Sequence, residues 1–294
     1  MENRGQSKNL STLKLALPKG RMETGVLNLL SDAGVKVSAA LRVYRPKVSL
    51  FNTETKVLKP QNIIEMLALG SRDIGFAGAD WIEELQVEVV QLLDTELDPI
   101  KLVAACPKEI LQDGKLPRRR LVVASEYERL TKSWIERKNL DASFIKSFGA
   151  TEVFPPEDAD CIVDNTATGA TLEANSLTII DELMISSTRL YASPQALENP
   201  AKREQIENLV LNLKSVLDAR KRVMLELNVQ PENLDAVIEI LPCMKMPTIS
   251  SSHAGAGYAV KAAVPKNKLV ELIPLIKAKG GTDIVIMPIN QLVS

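Results

Sequence analysis

One histidine, three cysteines, aromatic residues at 4% of the chain and no excess of either charge are the scarcities of this 294-residue sequence. With His253 alone, a histidine-based metal cluster is excluded, as is any triad that needs a second histidine nearby. His253 itself falls in a Ser/Gly-rich turn, where a side chain is expected to face solvent. Cys106, Cys161 and Cys243 are far apart, odd in number and set among apolar residues, so they read as buried thiols of a reducing compartment rather than as a disulfide framework. Residues 1–11 are polar and lack the apolar centre of a signal peptide. No later apolar run reaches the roughly 18 residues that a membrane span needs. The expectation is a cytoplasmic protein with a flexible tail over residues 1–10. With 36 basic against 37 acidic residues the formal net charge is −1, and only Arg118-Arg119-Arg120 stands out as a cluster. That balance speaks against a nucleic-acid partner, but a small anionic ligand needs only two or three placed cations.

Hydrophobic residues make up 45% of the chain and charged ones 25%, which is ordinary for a globular protein large enough for two or three domains. Short apolar runs alternate with helical patterns over the first two thirds. "LKLALP" (13–18), "KVSLFN" (47–52), "TKVLKP" (55–60) and "DIGFAGAD" (73–80) read as strands. Helices are expected over 24–35, with Gly34 as a stop, over "QNIIEMLALGS", and from Trp81. A second α/β unit is expected from about Ile100, with strands in "IKLVAACP", "RRLVVASE", "SFIKSF" and "DCIVDN" and a helix in "YERLTKSWIERKN". The extended run 178–193 would return the chain to the first sheet. Such alternation implies a mostly parallel sheet flanked by helices, here as two lobes with a cleft: lobe I from 11–98 and 178–218, lobe II from 99–177. A helix over about 201–219 leads into residues 219–294, where the order is βαββαβ, a ferredoxin-like arrangement.

The most informative stretch is "DCIVDNTATGATLEANSL" (160–177). Asp160 and Asp164 flank three apolar residues, and positions four apart in a strand face one side. Asp164 falls at the strand's carboxyl end, where open α/β sheets bind ligands. A carboxylate there can accept both hydroxyls of a ribose diol. Asn165, Thr166, Ala167, Thr168, Gly169, Ala170 and Thr171 offer backbone amides, hydroxyls and little bulk, ahead of a helix start that suits a phosphate. A plain strand, Asx-turn and threonine cap is the alternative. "ALPKGRM" (16–22) sets Lys19 and Arg21 around Gly20 directly after a strand, either a clamp on a polyphosphate or a solvated turn. Arg42 and Arg45 add positive charge. In "DIGFAGAD", Gly78 lets a backbone approach a ligand.

Taken together, these motifs resemble the ATP phosphoribosyltransferase family in its long form, from Leu13 to Pro288. "DCIVDNTATGATLEANSL" is similar to that family's phosphoribosyl-pyrophosphate loop, although many members place two apolar residues and a Ser or Glu where this chain has Asn165-Thr166-Ala167. The resemblance implies a two-lobed catalytic part like that of periplasmic binding proteins and a C-terminal ACT-like regulatory domain. It implies ATP and phosphoribosyl pyrophosphate as substrates, Mg2+ as cofactor, and a homo-oligomer of dimers and hexamers. It places Asp164, Lys19 and Arg21 in catalysis, Asp160 and Asp164 through Thr171 around the phosphoribosyl group, and Lys19, Gly20, Arg21 and Gly78 at the nucleotide. It implies histidine as inhibitor, with Thr248, Asn228 and Asp283 at the effector site. Two rival readings exist. Prephenate dehydratases also join a two-lobed α/β part to a βαββαβ sensor, and "SSTRL" (186–190) lies near one of their motifs, but nothing in them explains a phosphate loop. A non-enzymatic amino-acid sensor would share the cleft.

Overall fold

The computed structural model describes residues 12–38, 44–244 and 246–293. The expected tail over 1–10 and Arg42 lie outside them. The chain divides into two compact units, one taking in residues up to Asn28 and Val35–Glu207, the other Leu29–Gly34 and the chain from Asn208.

The first unit begins with β1 (Leu13–Pro18), α1 (Arg21–Asp32), β2 (Thr53–Leu58), α2 (Pro60–Ala68), β3 (Ile74–Gly78) and α3 (Ala79–Leu85). There follow β4 (Val90–Pro107), β5 (Leu121–Ser125), α4 (Glu128–Arg137), β6 (Ala142–Lys146), β7 (Cys161–Thr166), α5 (Ala170–Ala174), β8 (Leu177–Ala192) and α6 (Pro194–Glu198), and then α7 (Pro200–Arg220), which belongs to this unit up to Glu207 and to the second from Asn208. Eight strands form one sheet in the order β2-β1-β3-β8-β4-β7-β5-β6. Each end of the sheet is parallel, β1 pairing with β2 and β3, and β5 with β6 and β7. The two long strands β4 and β8 run antiparallel to each other and to their outer neighbours, tying the two parallel halves together.

Local chemistry explains the boundaries. β1, β3 and the start of β7 are buried along nearly their whole length, as parallel strands covered on both faces must be, hence their unbroken apolar runs. α2 opens on Pro60, whose missing N–H costs nothing at a first helical position, and buries Ile63, Ile64 and Leu67. α4 buries Thr131, Trp134 and Ile135, and the Trp134 indole donates to Asp181 Oδ2 at 2.9 Å. "KVSLFN" is not a strand: among its residues only Val48 makes a bridge, to Val37. The α1 helix starts at Arg21, three residues before the expected Thr24, so Arg21 is its first residue.

The second unit contains β9 (Arg222–Val229), α8 (Leu234–Ile240), β10 (Thr248–Ser251), β11 (Tyr258–Pro265), α9 (Leu269–Ala278) and β12 (Thr282–Pro288). Its antiparallel sheet has the order β10-β11-β9-β12, the ferredoxin-like arrangement. Val223, Leu225, Leu227 and Val229 alternate along β9 into one core with Val237 of α8 and Leu272 and Ile276 of α9. Met224, Glu226 and Asn228 take the other face by the strand's period of two.

Candidate active site

β7 delivers the central carboxylate. Its apolar half, Cys161-Ile162-Val163, is fully buried, and the strand emerges at Asp164 beside a hollow of about 390 Å³. Asn165, Thr166, Ala167, Thr168, Ala170 and Thr171 line that hollow with Asp164, as do Arg21 and the segment from Gly149 to Glu152. Burial pushes the pKa of Asp164 up to about 6. The Asn165 amide opposes the rise, and the carboxylates of Glu152 and Glu126 add to it.

The loop is held by its own side chains. The Asn165 N–H donates to Asp164 Oδ1 at 2.7 Å, the Gly169 N–H to Thr166 Oγ1 at 2.9 Å and the Ala170 N–H to Thr168 Oγ1 at 3.4 Å. Gly169 sits at φ +85°, a left-handed conformation that glycine adopts without a Cβ penalty. The helix after it, α5, is only five residues long, so single amides and hydroxyls, more than a helix dipole, are what the loop offers an anion.

A second hollow of about 320 Å³ is lined by Lys19, Arg21, Lys59, Asp80, Trp81 and Tyr127, among others, and shares Arg21, Glu126 and Asn165 with the first. Gly20, at φ +86°, makes the turn that puts Lys19 and Arg21 at the carboxyl end of β1. The Arg21 guanidinium donates to the Asp98 carbonyl at 2.7 Å, and Lys19 Nζ lies 5.4 Å from the centre of the Tyr44 ring. Trp81 and Tyr127 stack with ring centres 4.6 Å apart.

Beneath them runs a buried polar chain. Ser186 Oγ donates to Asp80 Oδ1 at 2.6 Å, the Tyr127 hydroxyl donates to Asp80 Oδ2 at 2.7 Å, and Asn165 Nδ2 donates to the Tyr127 oxygen at 3.2 Å. Burial first, then the Asp80 charge, hold the Tyr127 phenol well above its ordinary pKa, so it keeps its proton. A Cβ on Gly78 would run into the Asp80 carboxylate. Gly78 thus serves the network, and it lines neither hollow.

Asp160 is not brought to this place. It precedes β7 at the opposite end from Asp164, its carboxylate paired with Arg119 at 2.6 Å and accepting the Val122 N–H at 2.8 Å. Sharing a face is not sharing an end: four residues span roughly 13 Å of strand. The side chains that sequence reasoning missed are Asp80, Trp81, Tyr127, Glu126, Glu152 and Lys59. Glu126 and Tyr127 follow β5 at its carboxyl end, and the rule that singled out Asp164 was open to them too.

In the second unit, Asn228 Nδ2 donates to Asp283 Oδ2 at 3.1 Å, and Thr282 Oγ1 donates to the same oxygen at 3.1 Å. Those two donors hold the Asp283 carboxyl below its usual range. Thr248 lies across the sheet on the exposed edge strand β10, opposite Lys261. In the row Ser250–Ala259–Asn228–Thr282, Asn228 faces the same way as Ser250 and therefore as Thr248.

One pH dependence follows from the first hollow. An ionised Asp164 offers a charged acceptor oxygen to each of two hydroxyls, whereas the neutral acid carries a proton on one oxygen and holds a diol more weakly. Its pKa is raised to about 6, so kcat/KM for a substrate held through a diol is expected to fall about tenfold per unit as pH drops below about 6. A profile flat from pH 7 down to about 5 would remove Asp164 from that role.

Residues 59–215 match the family model described as ATP phosphoribosyltransferase, and residues 219–291 match that of the family's C-terminal domain. The ATP phosphoribosyltransferase of Chlorobaculum parvum is 34% identical over 292 residues, covering 98% of this chain and 99% of the relative. That of Pelotomaculum thermopropionicum is 34% identical over 288 residues, with 96% and 99% covered. Among solved structures, the ATP phosphoribosyl transferase (HisG:HisZ) complex from Thermotoga maritima matches at 28% identity with a TM-score of 0.62. There, 99% of that chain corresponds to 70% of this one, and the 219–291 match is what the long form adds.

Fold, hollows and matches define a pentosyltransferase with a separate C-terminal module. The chain belongs to the ATP phosphoribosyltransferase family, the enzymes of the first step of histidine biosynthesis.

Proposed function

We propose that phosphoribosyl pyrophosphate occupies the Asp164 hollow and ATP the hollow lined by Lys19 and Trp81, with adenine N1 meeting ribose C1 at their shared wall. The observation that carries this reading is the wall itself: Arg21, Glu126 and Asn165 line both hollows. Adenine N1 already carries a lone pair, so no base is needed to unmask the nucleophile, and a chain with one histidine is not handicapped. The N–C1 bond forms as the C1–O bond to pyrophosphate breaks. Asp164 holds the ribose hydroxyls while positive charge grows at C1, and Arg21 and Lys19 stabilise phosphate charge. Thr166, Thr168 and Thr171 hold the 5′-phosphate, their hydroxyls exchanging bonds within the loop for bonds to the anion.

Among the described residues, no three His, Cys, Asp or Glu side chains converge to hold a metal alone. Mg2+ nevertheless fits here, because it is usually bound through one or two carboxylates plus substrate phosphates, and Glu126, Glu152 and Asp164 line the first hollow. Bound there with the substrate, it would neutralise the departing pyrophosphate. The test is calorimetric titration with phosphoribosyl pyrophosphate in Mg2+. Wild type should bind, Asp164→Asn should bind at least about tenfold more weakly, and equal affinities would empty this hollow of its role.

The second unit is the inhibitor-sensing part in this reading, with Thr248, Asn228 and Asp283 on histidine. Dimers or hexamers, and a cytoplasmic location, belong to the same proposal; among the described residues no helix is long and apolar enough to cross a membrane. Thr248→Val keeps the shape and removes a hydroxyl. It should raise the histidine concentration for half inhibition several-fold, within the about 1–3 kcal/mol typical of allosteric coupling, with kcat unchanged when histidine is absent. An inhibition curve that overlays wild type excludes Thr248 from the effector site.

A further inference from the structure

The orientation of the Asn165 side chain follows from its neighbours. The Tyr127 hydroxyl has one proton, and it goes to Asp80 Oδ2 at 2.7 Å. Toward Asn165, 3.2 Å away, that oxygen can therefore only accept. Asn165 Nδ2 also lies 3.4 Å from Asp164 Oδ1, a carboxylate oxygen that accepts when ionised. Both neighbours demand the NH2 end of the amide, so chemistry fixes which of its two ends faces them. The carbonyl Oδ1 is the end left over, and among the described residues nothing donates to it. Asn165 is thus a neutral acceptor of fixed direction, in the wall common to the two hollows.

We propose that Asn165 Oδ1 reads the exocyclic 6-amino group of the purine and is the specificity determinant for a 6-amino over a 6-oxo base. This rests on the placement of the two substrates given above. The 6-amino group is bonded to the carbon next to N1, so wherever N1 meets C1 that group sits beside the reacting atoms and needs an acceptor. A 6-oxo purine presents an oxygen there and a proton on N1. Its oxygen would face Oδ1, acceptor against acceptor, and its N1 would have no lone pair in the ring plane. A site built to hydrogen-bond a donor rejects the analogue that lacks it, because its own polar group is then left unpaired. Glu126 is the rival acceptor on the same wall. Asn165 is preferred because its amide is already oriented by Tyr127 and Asp164 and so loses little freedom on binding. The side chain of Glu126 makes no hydrogen bond among the described residues.

The experiment is a cycle between substrate and protein. Dissociation constants are measured by calorimetry in Mg2+ for ATP and for purine riboside triphosphate, which lacks the amino group, with wild type, Asn165→Leu and Glu126→Ala. Wild type should prefer ATP by roughly three- to tenfold, the range of one hydrogen bond. Asn165→Leu should bring the preference to about one, and Glu126→Ala should keep it. Inosine triphosphate should bind more weakly than the des-amino analogue to wild type but not to Asn165→Leu. If Asn165→Leu does not fold, Tyr127→Phe, which keeps the ring against Trp81 and removes the hydroxyl that orients the amide, should lower the preference in its place. A wild-type preference retained in Asn165→Leu or Tyr127→Phe, or abolished by Glu126→Ala, overturns the assignment. Failure of wild type to bind ATP at all would instead count against the placement of the substrates, a result distinguishable from an unchanged ratio.

Discussion

Asp164→Ala should leave a folded protein whose turnover is reduced by a factor of about 10–100 or more. Losing a charged hydrogen bond to the substrate costs roughly 1.5–3 kcal/mol of transition-state binding, and Asp164 would make two, to a diol beside the carbon where charge grows. Stability should move the other way. The folded pKa of about 6 lies above the ordinary carboxylate value near 3.9, so the folded state binds the proton more tightly than the unfolded one. The group's contribution to stability is therefore most favourable below about pH 4 and is lost as pH rises through 6. A shift of two units corresponds to about 3 kcal/mol, an order of magnitude for the strain that Asp164 stores at pH 8. Asp164→Asn keeps an oxygen for the Asn165 amide and carries no charge. It is expected to raise the melting temperature at pH 8, with the gain vanishing near pH 4, while turnover collapses. A variant with wild-type kcat/KM, or one that loses both activity and stability at pH 8, would contradict the assignment.

Gly169→Val should weaken phosphoribosyl-pyrophosphate binding at least about tenfold. No atom lies within 4 Å of a Cβ built on Gly169, so the protein itself leaves room for the side chain. Two effects remain. At φ +85° a residue with a Cβ strains the backbone by about 1–2 kcal/mol, and a branched one is the worst case. The branch would also stand over the loop where the 5′-phosphate is placed, and the strain would pull on the Gly169 N–H that meets Thr166. Gly169→Ala separates the two, carrying most of the strain with little of the bulk. Calorimetry should rank wild type, Ala, Val in falling affinity. Equal affinities for wild type and Val would make the loop a turn with no ligand.

Much of this was legible in the sequence where one physical cause dominated. Buried parallel strands must be apolar throughout, and β1, β3 and the first half of β7 read as such. Asp164 stood out because it ends one of them. Legibility failed where causes competed. β4 starts ten residues before Ile100, but Glu96 and Asp98 break its pattern with positive φ angles, and its pairing with β8 shifts register repeatedly. "KVSLFN" has the composition of a strand but gains only a single bridge. Asp160 passed the test of facing and failed that of position along the strand. The chain from Ser186 through Asp80 and Tyr127 to Asn165 joins residues up to 106 positions apart, and no local pattern announces such a contact.

The measurement closest to the central claim uses one cuvette: protein, ATP, phosphoribosyl pyrophosphate and Mg2+, with pyrophosphate and the ultraviolet absorbance of N1-substituted adenine followed together. The expected result is both signals rising in equal amounts with wild type, neither when one substrate is omitted, and both collapsing in Asp164→Asn. Pyrophosphate released without the adenine signal, or both signals undiminished in Asp164→Asn, would contradict it.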